Sequence, residues 1–178
     1  TFIVNAPMDN YDSITGGTFT VNDKMNNLEG ATITGGTITI PSGGSLQNKG
    51  SISGDKSGGT FIVDGRMNNN GTISKGTFTV NSTMDNRGTI TGGTFTVNGT
   101  MSNLRDGTIT GGTFTILDDG FLRNSKTITG GTFTGKVDNL NGGSITGGDF
   151  TGATVTNTGN ATVTGGEFNG FKLKNGEL

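Results

Sequence analysis

The sequence predicts an all-β protein, a single-stranded parallel β-solenoid (β-helix) with three short strands in each coil. Three observations support this fold class: a repeat of about 18 residues, apolar residues that alternate with polar ones inside it, and a composition that disfavours helix. Gly, Thr and Asn supply 35, 33 and 20 of the 178 residues, and all three are poor helix formers. We therefore expect one domain over residues 1–178, with about 9–10 coils.

The first segment of each repeat centres on an aromatic residue, usually within a Thr-Phe-Thr pattern. Successive copies lie 17 to 23 residues apart, and each copy alternates polar and apolar residues with the two-residue period of a strand. Stacked coils would place the aromatic side chains above one another in an inner column. The unbroken part of this predicted column contains Phe61, Phe78, Phe95, Phe114, Phe133, Phe150 and Phe168.

Two further apolar positions complete each coil. An Ile or Val lies five residues before nearly every aromatic. After each aromatic comes a Met, Leu or Val, and Asn lies two places after that residue. The Asn is expected to point inward at a bend, where its amide bonds its own copies and turn carbonyls. The central members of this predicted ladder are Asn69, Asn86, Asn103 and Asn124. The apolar spacing of 5, 6 and 6 departs from the regular six-residue pattern of left-handed solenoids, which favours a right-handed winding.

Departures from the repeat predict local features. Ile52 lies nine residues before Phe61, so residues 53–59 are expected to form an inserted loop. The distance from the aromatic to the Met-type residue falls from six residues in the middle coils to four or five later, which predicts narrower coils over residues 133–178. Neither end contains a capping pattern, which favours an excerpt of a longer chain over a unit capable of end-to-end self-association.

Composition argues against several functions. The chain has no Cys and no His, which argues against disulfides, thiolate or imidazole metal sites and the usual catalytic base. A net charge of −2 argues against nucleic acid, and no long apolar run predicts membrane insertion. The pair Asp118-Asp119 is typical of a solvated turn, and GGTFTGK lacks the final Ser or Thr of a phosphate loop. We expect no enzyme: no catalytic residue, no metal site and no cofactor.

The residues on either side of the inward Ile file must point outward, and all eighteen are Thr or Ser. One interpretation is structural, because β-branched polar Thr suits a solvent-facing strand and pairs across strands. The other interpretation is a flat, uncharged lattice of hydroxyl and methyl groups that binds a ligand or orders water. The candidate ice- or ligand-facing residues are Thr15, Thr32, Thr34, Thr72, Thr89, Thr91, Thr108, Thr110, Thr127, Thr129, Thr146, Thr162 and Thr164.

Two resemblances to known families follow from these patterns. The outer ranks, in TIT and TFT, resemble the TxT faces of β-solenoid antifreeze (ice-binding) proteins, and that resemblance covers the face alone. Tandem units such as SITGGDFTGATVTNTGNATVTGGEFNG resemble the Gly/Thr/Asn-rich β-helix repeats of bacterial cell-surface proteins and adhesins. The second resemblance implies an extracellular structural or adhesive role, as a stalk or a repetitive surface for a glycan or cell-surface partner. The first implies ice as the partner, and this is the alternative function.

Overall fold

The computed structural model describes residues 1–53 and 59–168, together with the backbone of residues 172–175. Regular structure in these residues is β-strand, and every strand pairs in parallel with the equivalent strands of neighbouring coils. This arrangement confirms the predicted parallel β-solenoid. The residues 54–58 of the predicted inserted loop lie outside the described residues.

Each coil contributes one strand to each of three sheets, which we name the Phe, Met and Ile sheets after the residue that points inward. The Phe sheet contains Phe2–Val4, Thr18–Val21, Thr37–Ile40, Thr60–Val63, Thr77–Val80, Thr94–Val97, Thr113–Ile116 and the first part of Thr132–Asn139. The Met sheet contains Met8–Asn10, Lys24–Asn27, Ser45–Asn48, Arg66–Asn69, Thr83–Asn86, Thr100–Asn103, Phe121–Asn124, the second part of Thr132–Asn139, Ala153–Asn157 and Lys172–Asn175. The Ile sheet contains Ser13–Ile14, Thr32–Ile33, Ser51–Ile52, Thr72–Ile73, Thr89–Ile90, Thr108–Ile109, Thr127–Ile128, Ser144–Ile145 and Thr162–Val163.

The nine strands of the Ile sheet are separated by eight complete turns of the chain. The predicted 9–10 coils include the partial turns before Ser13 and after Val163. The register is like on like, as where Phe78 pairs with Phe95 and Met84 with Met101. Equivalent residues of successive coils therefore lie one interstrand spacing apart, which is about 4.8 Å.

The core is a set of inward columns that run the length of the rod. From Phe61 to Phe150 the aromatic rings stack with centroids 4.6–4.8 Å apart and planes within 9° of parallel. Phe168 extends this column at 5.1 Å, and at the other end Phe2 stacks on Phe19 at 5.0 Å. The rings of the central column are fully buried, which suits aromatic side chains whose stacking adds to the free energy gained by burying them.

The bend between the Phe and Met sheets disappears in the coil that contains Phe133. A single strand, Thr132–Asn139, serves both sheets, because only four residues separate Phe133 from Val137. Gly135 permits this at a φ of +86°, where a Cβ atom would lie 1.9 Å from the carbonyl oxygen of Ile116. In the next two coils Asp149 and Glu167 continue the Phe sheet as isolated bridges. The narrowing of residues 133–178 stays a prediction.

Candidate functional site: threonine faces and amide ladders

The outer surface of the Ile sheet contains the two predicted ranks of Thr and Ser. None of the eighteen side chains is buried. The backbone N–H of Thr91 donates to the carbonyl of Ile73 at 2.9 Å, and that of Thr110 donates to Ile90 at 2.9 Å. The rank after each Ile therefore follows the same ladder as the strand itself, and both ranks repeat at the interstrand spacing.

The structure places all thirteen candidate threonines on this one face. The exposed members are Thr15, Thr72, Thr91, Thr110, Thr129, Thr146, Thr162 and Thr164. The half-buried members are Thr32, Thr34, Thr89, Thr108 and Thr127. The face is thus brought together as predicted, while its binding function stays a prediction. Five serines interrupt it without adding charge, namely Ser13, Ser51, Ser53, Ser74 and Ser144.

The Phe sheet presents a second threonine face of similar regularity. From Thr18 to Thr134, thirteen of the fourteen outward strand positions are Thr, and Ile62 is the exception. Carboxylates replace threonine in this rank only further along, at Asp149 and Glu167. Two of the three sides of the rod are therefore uncharged hydroxyl surfaces over most of their length.

Paired glycines make the bend that separates these two faces. In the middle coil, Gly93 has a φ of +103°, a conformation that suits glycine. Its neighbour Gly92 approaches the coil below so closely that a Cβ atom would lie 2.4 Å from the carbonyl oxygen of Ser74. Backbone geometry therefore favours the Gly-Gly pair in this coil without any ligand, although the preceding coil has Lys75 at the first of the two positions.

The buried Asn ladder follows the bend between the Met and Ile sheets. Each side-chain Nδ2 donates to the Oδ1 of the Asn in the next coil at 2.7–2.8 Å, from Asn10 through to Asn157. The same Nδ2 atoms also donate to turn carbonyls, as Asn86 does to Gly88 at 3.2 Å. Asn69, Asn86, Asn103 and Asn124 are fully buried. The ladder confirms the inward, self-bonded arrangement that the sequence predicts.

A second amide ladder on the outside was missed by the sequence analysis. At the bend between the Phe and Met sheets, Asn22 donates to Asn5 at 2.7 Å, Asn81 to Asp64 at 2.7 Å and Asn98 to Asn81 at 2.6 Å. Asn5, Asn22, Asp64 and Asn81 are exposed, and Asn98 is half-buried. The signal was present, because an Asn or Asp directly follows the last inward Val of these strands.

The Met sheet carries the charged side chains that the two threonine faces lack. In the middle coils Asp85, which is 6% exposed, accepts hydrogen bonds from Arg66 at 2.9 Å and from Arg87 at 3.0 Å. Asn68 joins this network by accepting from both arginines at 3.3 and 3.2 Å. The carboxylate is therefore neutralised within the protein, and the network cross-links adjacent coils.

Side chains that could ligate a metal ion are not clustered in the described part of the chain. Among residues 1–53 and 59–168, no three His, Cys, Asp or Glu side chains come together in a way that would hold a metal ion. The pKa of Asp149 lies below its ordinary value because Thr151 donates to its Oδ1 from the hydroxyl at 2.6 Å and from the backbone N–H at 2.9 Å. In the described part of the chain, no helix is long and apolar enough to cross a membrane.

Comparisons of the chain with protein-family models, with curated proteins and with solved structures found no match.

Proposed function

We propose that this chain is a non-enzymatic structural and adhesive β-solenoid of an extracellular surface protein. The observation that carries the proposal is the like-on-like stacking of every inward column, which gives a stiff rod with repeated outer surfaces. A rod of this kind spaces other parts of a protein away from a cell and displays the same side chains many times. Repetition favours partners that are themselves repetitive, such as glycans, because many weak contacts then act together.

Adhesion is tested by applying the fluorescently labelled 178-residue chain to immobilised polysaccharides and to intact cells. The expected result is saturable binding to at least one glycan or cell surface. The concentration at half-saturation should rise when the chain is shortened by whole coils. Absence of binding to every glycan and cell tested would refute the adhesive role. A shortened chain that binds as tightly as the full chain would refute the contribution of repetition.

Ice binding is the second candidate function, and a specific observation favours it. The two outer ranks of the Ile sheet are uncharged, and both follow the interstrand ladder, so hydroxyl groups, with methyl groups wherever the residue is Thr, repeat at about 4.8 Å along the rod. Such a lattice is suited to holding water in an ordered array.

Thermal hysteresis and ice-crystal shaping test this candidate. Thr91→Tyr and Thr110→Tyr place a bulky ring on the Ile face and are expected to abolish most of the hysteresis. Thr100→Tyr is the matched control, since Thr100 is a half-buried outward residue of the Met sheet. If the unaltered protein neither shapes ice nor lowers the freezing point, the ice-binding function is rejected. Equal losses in all three variants would also reject the Ile face as the site.

A further inference from the structure

One outward position of the Met sheet departs from the repeat. In the earlier coils this position is polar, namely Lys24, Ser45, Arg66, Thr83 and Thr100, and in the next coil it is Phe121. Phe121 is half-buried, although neighbouring outward positions of the sheet are polar. A large apolar ring at a solvent-facing position of a polar sheet is not needed for the solenoid to form, since threonine fills the same position elsewhere.

Two cationic side chains lie against this ring. The guanidinium carbon of Arg123 is 5.6 Å from the ring centre, and the Nζ of Lys136, in the next coil, is 5.4 Å from it. Both distances fall within the range of a cation–π interaction. Lys136 Nζ also donates to the backbone carbonyl of Asp118, which ties this side chain to the adjacent turn. The ring therefore holds two exposed cations close together in defined positions.

The strands around Phe121 carry residues of both charges, on a chain with a net charge of −2. From Phe121 onward, the four Met-sheet strands contain four cationic residues, namely Arg123, Lys136, Lys172 and Lys174. They contain one carboxylate, Asp138. Lys172 and Lys174 stand in register with Thr154 and Thr156. In the same coils the negative residues Asp149 and Glu167 belong to the Phe sheet. Asp138 stands in register with Arg123, and the exposed Asp118 and Asp119 lie in the turn just before Phe121, so the described cations have carboxylates nearby.

We propose that Phe121, Arg123 and Lys136 form a binding patch for an acidic polysaccharide. Arginine's planar fork of donors matches a carboxylate or sulfate group, and lysine adds a point charge beside it. This inference rests on the proposed adhesive function and names its ligand class. A nucleic acid is disfavoured, because single strands require successive aromatic platforms on a basic groove, whereas the patch offers one ring on a chain of net negative charge.

Binding of the full 178-residue chain to three polymers tests the patch. Polygalacturonate carries carboxylates, its methyl-esterified form has the same backbone without the charge, and heparin carries sulfates. We expect polygalacturonate or heparin to bind at least tenfold tighter than the esterified polymer at 50 mM NaCl, with weaker binding at 200 mM. The ratio of the affinities for polygalacturonate and heparin distinguishes carboxylate from sulfate recognition. A chain that binds the neutral polymer equally well would overturn the acidic-ligand assignment.

Substitutions in the patch, and one elsewhere in the Met sheet, test where the acidic polymer binds. Arg123→Gln and Lys136→Gln together are expected to weaken binding of the acidic polymer at least tenfold, and Phe121→Thr to weaken it severalfold while restoring the residue of the preceding coils. Lys24→Gln removes one charge from the same sheet in an early coil and is expected to change affinity less than twofold. An equal loss in Lys24→Gln, or tighter binding to a poly(dT) oligonucleotide than to either acidic polymer, would overturn the proposal.

The two proposals fail differently. If the variants bind cells and glycans as the unaltered chain does, the adhesive function stands and the patch is rejected. If the unaltered chain binds no glycan and no cell, adhesion itself is rejected, and the patch falls with it. Circular dichroism of each variant, compared with the unaltered chain, shows whether the solenoid is intact in every arm of the test.

Discussion

The two amide ladders make the same bond in opposite environments. Asn86, in the buried ladder, accepts from Asn69 at 2.7 Å and donates to Asn103 at 2.8 Å. Asn81, in the exposed ladder, donates to Asp64 at 2.7 Å and accepts from Asn98 at 2.6 Å. The bond lengths are nearly equal, so geometry alone does not rank the two ladders.

Burial separates them. An exposed amide that loses its partner bonds to water instead, whereas a buried amide that loses its partner is left unsatisfied. The inner ladder also satisfies turn carbonyls, and the bond from Asn103 to the carbonyl of Gly107 is buried. The inner ladder should therefore be essential to the fold, and the outer ladder should contribute little to the free energy of unfolding.

Asn86→Asp is expected to have the largest effect. At neutral pH it places a carboxylate beside the Oδ1 of Asn103 and the carbonyl of Gly88, with no donor for either, at a cost of about 3–5 kcal/mol. Acidification should recover part of the loss, because a protonated carboxyl donates to Asn103 and burial raises the pKa of the introduced group. The check is urea denaturation at pH 8 and pH 5, with Asn22→Asp as the exposed control, because the partner of Asn22 is the neutral Asn5. Equal destabilisation of both variants would contradict the role of burial.

Replacing the Asn side chain by Ala is expected to give a smaller difference in stability between the two ladders. Asn86→Ala should reduce the free energy of unfolding by about 1–3 kcal/mol, because it leaves buried backbone carbonyls and neighbouring amides unpaired. Asn81→Ala should change it by less than about 0.5 kcal/mol, as is usual for an exposed site. Denaturation midpoints followed by circular dichroism measure both. A midpoint for Asn81→Ala as low as that for Asn86→Ala would show that the outer ladder is essential too.

The smallest effect concerns Asp149, another exposed residue with a local hydrogen bond. Bonds from Thr151 lower the pKa of Asp149 in the folded state below the usual 3.8. The stability they contribute is therefore present above about pH 4 and is lost as the pH falls through the lowered pKa. Asn at this position keeps the acceptor but does not titrate. The difference in denaturation midpoint between the unaltered chain and Asp149→Asn should therefore shrink as the pH is lowered from 6 to 3. A constant difference would contradict this account.

Periodicity accounts for what the sequence predicts well. Residues such as Phe95 and Asn103 recur at coil spacing, and stacking brings equivalent positions together, so their columns follow from the alignment alone. The outward direction of Thr91 follows equally from alternation along a strand.

The side-chain contacts that the sequence did not predict depend on rotamers. The repeat pattern carries no information about rotamers. Whether Arg66 and Arg87 converge on Asp85 depends on rotamers, because these residues occupy different positions in their coils. The same holds for Arg123 and Lys136 around Phe121. The merging of two strands at Gly135 goes with the four-residue spacing from which the sequence predicts narrowing, but the spacing alone did not predict a continuous strand.

The parallel register has a consequence for how such a chain changes its size. Each coil bonds only to the one above and the one below, and neighbouring coils are nearly interchangeable in their contacts. Gain or loss of a whole unit leaves both new junctions with matched partners, whereas gain or loss of a few residues keeps the columns in register only where a turn accommodates it, as between Ile52 and Phe61. Unequal recombination between the repeats of such a gene would therefore yield folded rods of graded length.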